Sequence, residues 1–399
     1  MAPRFFDCSV PECQRPSARS VGAGCDMCSR HFCGVHLSRD FHKCKIGDLD
    51  DAAYNDLMLS EISLLRAQIN ESAACRLASS LNGGKPCILE YPSITVGQGA
   101  LTGCANYHAR IRFDDGSPSW LMRVPRVTGF AVGLPVSLAE YLIRSEYATL
   151  KFLETTAVPA PRAFSFGIPS RGTDHGVGVC FLLMEELPGT PWDGRGDASK
   201  VWKGLAAILA ELEKREFPQA GSLHVWSPDD DRPSVSAAAS DRFVCLGPWG
   251  PFDTSEEYYA AWAEQHLALI ADGQLYPQFP VEAYLVYRFL KENAARLSEP
   301  EPERIFFLKH VDDKGDHLLV DDDLNITGVI DWQMARVVPR REAFALSLVS
   351  ADMRALWHSA TADSHAVPGT SPWASPCETR ARSWPDIQRT RRLGGSFGA

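Results

Sequence analysis

The sequence predicts an α+β protein in two parts: a small module stapled by Cys and His side chains, then a larger mixed α/β body. Three observations predict it. Six of the twelve cysteines (Cys8, Cys13, Cys25, Cys28, Cys33, Cys44) fall in the first 44 residues. Short β-rich runs between 87 and about 187 surround one strong helical pattern, as in a small α/β lobe. Beyond them come longer helical runs at 197–215 and 255–297. With 399 residues, 45% hydrophobic and 10% aromatic, the chain carries enough apolar surface for one large core or two.

Charge and hydropathy exclude several classes of function. No stretch approaches the roughly 18–20 apolar residues that cross a bilayer, and the start, MAPRFFDCSV, has no apolar signal core. The expectation is a cytoplasmic protein with no membrane contact, the nucleus also being open to it. The net charge of -10 is unevenly spread: residues 1–46 hold seven Lys/Arg against four acids (+3), and residues 354–399 six against three (+3). The middle therefore carries about -16, by subtraction from the total. Nucleic acid is a poor partner for such a body, because phosphate contacts need concentrated Lys and Arg.

Taken in order, residues 48–80 show a helical pattern, with Leu57, Ile62, Leu65 and Ile69 at spacings of three to five, stopped by Asn82-Gly83-Gly84 and Pro86. The runs NYHARIRF, SWLMRVP and VGVCFLLMEEL read as strands. Between the last two, Ser137-Leu-Ala-Glu140 forms a capping box that opens a helix. The Pro/Gly/Ser/Asp-rich stretch 217–253 reads as a long surface excursion, and LLVDDDLNITGVIDW as two short strands about an acidic turn. From about 358 the composition turns to Ser, Thr, Ala, Pro and Arg without periodicity, which predicts disorder.

The first chemistry-bearing pattern is Cys8-x4-Cys13-x11-Cys25-x2-Cys28-x4-Cys33-x2-His36-x5-His42-x-Cys44. Clustered Cys with interleaved His and no secretory signal indicates metal rather than disulfides. Eight such donors fill two closed tetrahedral zinc sites, which serve structure rather than catalysis. Apart from Phe6, Phe32 and Phe41 the segment has almost no core, so metal binding would supply much of its folding free energy. The pattern resembles the AN-1 type zinc finger at all eight ligand positions. That resemblance implies an interleaved cross-brace: one Zn2+ on Cys8, Cys13, Cys33 and His36, the other on Cys25, Cys28, His42 and Cys44. It also implies a protein partner for the module.

The second pattern is spread along the body. Residues 310–331 contain His310, Asp312, Asp316, His317 and Asp331, placing one carboxylate in a loop and returning another through a hairpin. Phosphoryl transfer needs this arrangement: one carboxylate orients an acceptor hydroxyl and the other holds Mg2+ on nucleotide phosphates. Upstream, Gly97, Gly99 and Gly103 make a loop whose backbone N–H groups could approach phosphate. Leu138, Leu142, Glu146, Leu150 and Leu153 put Glu146 on the apolar stripe of its helix, where a carboxylate needs a cation. Arg123 on the preceding strand is the natural partner.

In that order, and with Met184-Glu185-Glu186-Leu187-Pro188-Gly189 among them, these features resemble the aminoglycoside phosphotransferase family of kinase-like enzymes over about residues 90–353. The resemblance implies a bilobal, protein-kinase-like fold with ATP between the lobes and a hinge at Glu185 and Leu187. It further implies Asp312 as catalytic base, His310 as its loop support, Asp331 as magnesium ligand, and a small-molecule hydroxyl as acceptor. Three features depart from the family pattern. Arg123 stands where the strand Lys is usual, His317 where a metal-binding Asn is usual, and the helical pattern ends near Trp357. The expected organisation is a finger at 1–46, a connecting helix at 47–86, an N-lobe at 87–189, a helical C-lobe at 190–357 and a tail at 358–399. Three functions compete on these residues: an ATP- and Mg2+-dependent phosphotransferase, a non-catalytic scaffold whose finger recruits a protein, and a metal hydrolase built on the His/Asp cluster.

Overall fold

The structure is a computed structural model that describes residues 8–13, 32, 33, 36, 51–93, 105–127, 136–230, 232–240, 247–271, 275, 276, 279–298, 305–312 and 316–345. The expected tail at 358–399 and the glycines Gly97, Gly99 and Gly103 lie outside these residues, as do Cys25, Cys28, His42 and Cys44.

The helical pattern at 48–80 is two helices, α1 (Asp51–Gln68) and α2 (Glu71–Leu81). They part at Asn70, whose side-chain oxygen accepts from Ala73 N and caps α2. An Asn inside an apolar periodicity disguises such a break, because the hydrophobic spacing runs straight through it. Next come β1 (Cys87–Glu90), β2 (Asn106–Phe113), β3 (Trp120–Pro125), α3 (Val136–Leu153), β4 (Ala163–Gly167) and β5 (Phe181–Glu185). The five strands form one antiparallel sheet in the order β1-β2-β3-β5-β4.

Strand alternation explains how this sheet is covered on both faces. Tyr107, Ala109, Ile111 and Phe113 of β2, Met122 and Val124 of β3, and Phe181 and Leu183 of β5 all project to one side. There they meet Met58, Ile62 and Leu65 of α1 and Ala73, Ala74 and Ala78 of α2, so the segment before the sheet shares its core. Leu182 and Met184 of β5 point the other way, into a cluster with Ile143, Tyr147 and Leu150 of α3. Arg123 shares this second face, since it follows Met122 and precedes Val124. Just past β3, Arg126 is buried with Glu61 of α1 at 2.7 Å.

β5 leads through Glu185–Gly189 into β6 (Thr190–Pro191), which joins β11 (Leu318–Val320) and β12 (Ile326–Val329) in a second sheet of order β12-β11-β6. Gly189 lies at φ +112°, and a Cβ there would stand 2.3 Å from Thr327 Oγ1 and 2.9 Å from Val320 O. Only glycine allows this close crossing. The remaining elements are α4 (Ala198–Leu212), β7 (Glu216–Phe217), β8 (Ser222–His224), β9 (Ser234–Ser236), α5 (Ser255–Ala271), α6 (Pro280–Glu292), α7 (Ala294–Leu297), β10 (Phe306–Lys309), β11 (Leu318–Val320), β12 (Ile326–Val329), β13 (Arg336–Pro339) and α8 (Arg340–Ala343).

The stretch 217–253 is not the surface excursion its composition suggests. It contains the β8–β9 hairpin and buries Ala220, Leu223, Val225, Ala238 and Trp249 in the same cluster as α3, β10 and β13. Strands of three residues leave too short an alternation to register against Pro, Gly and Ser. Among the described residues no helix is long and apolar enough to cross a membrane.

Removing one member of a buried ion pair strands the other charge. Glu61→Ala should therefore lower stability by about 3 kcal/mol in urea denaturation. In the same assay Asp56→Ala, at an exposed position of the same helix, should stay within about 0.5 kcal/mol of the parent.

Candidate active site and metal centre

A buried guanidinium organises the site. Arg123 Nη1 donates to Glu146 Oε1 at 2.6 Å, and its Nη2 donates to Asp331 Oδ1 at 2.5 Å and to Gln333 Oε1 at 2.9 Å. The pairing of Arg123 with Glu146 read from helix periodicity is present, and Asp331 joins it from 208 residues along the chain. Arg123 and Glu146 are almost wholly buried, while Asp331 is 36% exposed on its side chain. One end of the network is thus dry and the other open. Burial acts to discharge Arg123, but Asp331 and Glu146 beside it raise its pKa. Burial pushes Glu146 upward against the pull of Arg123, and the charge of Asp331 adds to the rise. Burial also acts to raise Asp331, yet Arg123 and His317 outweigh it and hold that carboxyl below its usual range.

Asp331 occupies the left-handed backbone region, φ 66° and ψ 54°. A non-glycine residue held there costs on the order of 1–3 kcal/mol. Its neighbours hold the turn: Ile330 N donates to His317 O, and the buried Trp332 gives Nε1–H to Val329 O. His310 Nε2 lies 2.8 Å from Ile330 O and must donate to it, since a carbonyl only accepts. His310 therefore ties the end of β10 to the residue before Asp331, and its ring meets Trp332 edge-on at 4.6 Å. Burial, then His317, lower its pKa and keep it neutral.

His317 is fixed in the same way. Its Nδ1 donates to the main-chain oxygen of Asp312 at 2.8 Å. Its Nε2 faces Asp331 Oδ2 at 3.5 Å and Asp316 Oδ1 at 3.9 Å. Ligand atoms of Asp312, His317 and Asp331 all lie within 4.8 Å of one another, so this donor set fits one divalent ion. The residues named from sequence at 310, 312, 317 and 331 thus converge, together with 123 and 146. Glu185 closes β5 with its Oε2 on Arg162 N at 3.3 Å, and Leu187 touches the Gly328 position of β12. Gln333 escapes the sequence reading; its place two residues after Asp331 is the one available signal.

The N-terminal donors make a second cluster. Cys8, Cys13, Cys33 and His36 come together within 4.8 Å, the set named for one zinc. Cys8 Sγ and Cys33 Sγ lie 3.4 and 3.5 Å from His36 Nδ1, and Cys13 Sγ lies 3.9 Å from Cys33 Sγ. Tetrahedral zinc, with bonds of about 2.3 Å to sulfur and about 2.0 Å to nitrogen, requires S–S edges of about 3.8 Å and S–N edges of about 3.5 Å. The spacing of these four donors fits that ion.

With this geometry in place, the comparison with known families is decisive. A model described as the phosphotransferase enzyme family matches residues 136–366, more than half of the chain. The chain belongs to the phosphotransferase enzyme family. The match begins at α3, so Glu146, Asp312, His317 and Asp331 fall inside it and Arg123 before it. Among solved structures the chain is similar to an aminoglycoside phosphotransferase-type protein from Ralstonia eutropha JMP134, at 14% identity and TM-score 0.43, covering 84% of this chain and 78% of that one. It is also similar to a macrolide 2'-phosphotransferase type I (12%, TM-score 0.35, 81% and 86% covered). A third is a spectinomycin phosphotransferase in complex with ADP and spectinomycin (12%, TM-score 0.33, 68% and 71% covered). No curated protein matches the chain.

Replacing Arg123 by Met leaves Glu146 buried without a cation and should cost about 3–5 kcal/mol in chemical denaturation. Adding Glu146→Leu should recover most of that loss, because the pair is then replaced by apolar volume.

Proposed function

We propose that this phosphotransferase-family chain moves the γ-phosphoryl group of ATP to a hydroxyl of a small molecule, using a divalent ion. One observation supports the reading above others: the Arg123–Glu146 pair, Asp331 and Asp312 come together from four separate segments in one network that is buried at Glu146 and open at Asp331. Asp312 would accept the proton of the acceptor hydroxyl as it attacks. Asp331 and His317 would hold the divalent ion, which when bound neutralises charge on the nucleotide phosphates. Arg123, kept in place by Glu146, would orient phosphate oxygens as the strand Lys does elsewhere. His310 would position the catalytic loop through its bond to Ile330. Gly97, Gly99 and Gly103 would cover the phosphates, and Glu185 and Leu187 would border the adenine at the hinge.

The proposal extends to the whole chain: a finger at 1–46 with two Zn2+ and a protein partner, a connecting segment at 47–86, lobes at 87–189 and 190–357, and a tail at 358–399. The spacing of Cys8, Cys13, Cys33 and His36 supports the first zinc. A second reading, a non-catalytic scaffold, draws on Arg123 itself, whose guanidinium is already occupied by Glu146, Asp331 and Gln333.

Mg-ATP binding by calorimetry and turnover against amino sugars and simple alcohols decide between the two. In the active reading, Asp312→Asn should keep ATP affinity and lose about 10²–10⁴ in kcat; identical rates in the two proteins would leave only the scaffold. The nitrogen donor at His317 should favour Mn2+ over Mg2+. Electron paramagnetic resonance should show bound Mn2+ released in His317→Ala, and His317→Asn should shift preference toward Mg2+ by about tenfold. Elemental analysis should return two zinc ions per chain, with one lost in Cys33→Ser.

A further inference from the structure

A second cluster of polar groups sits beside α3, two residues along the chain from Glu146. Arg144 is 5% exposed; its Nε donates to Glu140 O at 3.2 Å, while its Nη1 is buried and has no hydrogen-bond partner among the described residues. His224, at the end of β8, is 3% exposed, and its Nε2 is likewise without a partner among the described residues. The two come together around Trp226. The Arg144 guanidinium lies 5.1 Å from the indole and that of Arg171 5.6 Å, while His224 meets the indole edge-on at 5.1 Å and stacks on Tyr141 at 4.9 Å. Trp226 itself is 66% exposed.

Two guanidinium groups on one indole repel each other, and neither forms a salt bridge among the described residues. The neighbouring carboxylates are engaged elsewhere. Glu140 Oε1 accepts from Ser170 Oγ at 2.5 Å, and Asp230 Oδ2 accepts from the backbone N–H groups of Trp226 and Ser227 at 2.6 and 2.9 Å. A buried donor left without an acceptor has lost its water and gained nothing in return, and the loss is greater when the group is charged. Cation–π contact offsets part of this, but it does not satisfy a directional N–H.

We propose that Arg144, Arg171 and His224 form a binding site for a small phosphate-bearing anion, separate from the phosphotransfer centre. A tetrahedral phosphate presents acceptors in several directions, which suits three donors arriving from a helix, a loop and a strand; a planar carboxylate suits one guanidinium fork. The anion enters by displacing the exposed Trp226 indole from Arg144. Burial, with Arg144 and Arg171 nearby, lowers His224 to about 4, so the imidazole is neutral at pH 7 and offers an N–H without adding charge. Because Arg144 and Glu146 share α3, the bound anion and the Arg123 network act on one rigid element.

The test is nitrogen-resolved NMR of the histidines in the full chain, titrated with inorganic phosphate. The His224 resonances should move saturably, and the His224 pKa should rise from about 4 as the anion offsets the two arginines. Arg171→Gln, at an exposed position, should weaken the phosphate response about tenfold, and Arg144→Gln should abolish it. Asp331→Asn should leave the response intact, which separates this site from the phosphotransfer centre. The proposal is overturned if His224 stays still at saturating phosphate, or responds equally in Arg171→Gln. It is also overturned if acetate or citrate displaces phosphate at equal concentration, since the site would then be one for carboxylates.

Discussion

The charge of Arg123 sits where water cannot stabilise it, and Glu146 alone would leave part of its fork unused. Asp331 and Gln333, brought in from the far end of the chain, complete it. The consequence is mutual. The guanidinium stays charged because two carboxylates face it, and Asp331 stays ionised, in an unfavourable backbone conformation, because the guanidinium is there. A lysine at the same position would offer a point charge and could not span both partners with the same geometry.

The two-sided burial of the five-stranded sheet follows from this need. A strand that buries Met122 and Val124 on one face and Arg123 on the other must have cover on both. Helices α1 and α2 supply it on the first face and α3 on the second, while α3 also delivers Glu146. The glycine crossing at residue 189 then brings the β11–β12 hairpin close to the end of β5, so that Asp331 returns to the same place.

Much of this is legible in the sequence, and the reasons are specific. Glu146 stands out because a carboxylate on an apolar stripe demands a cation, and that demand holds in any fold. His310, Asp312, His317 and Asp331 are legible because they flank one short hairpin, where sequence distance limits spatial distance. The division of the first helix at Asn70 is hidden, since Met58, Ile62, Leu65, Ile69 and Ala73 keep a helical spacing across it. The β8–β9 hairpin is hidden because three-residue strands carry almost no periodicity. Gln333 and the Arg126–Glu61 pair are beyond reach for another reason: nothing local in a sequence shows which exposed-looking polar side chain tertiary packing will bury.

That last pair carries its own consequence. Arg126 lies three positions past Arg123, and Glu61 anchors it from α1. Helix α1, which follows the Cys/His segment in sequence, is thereby bolted to the first residue past the strand that carries the central guanidinium. A displacement of that helix therefore reaches the strand as leverage, through a buried joint.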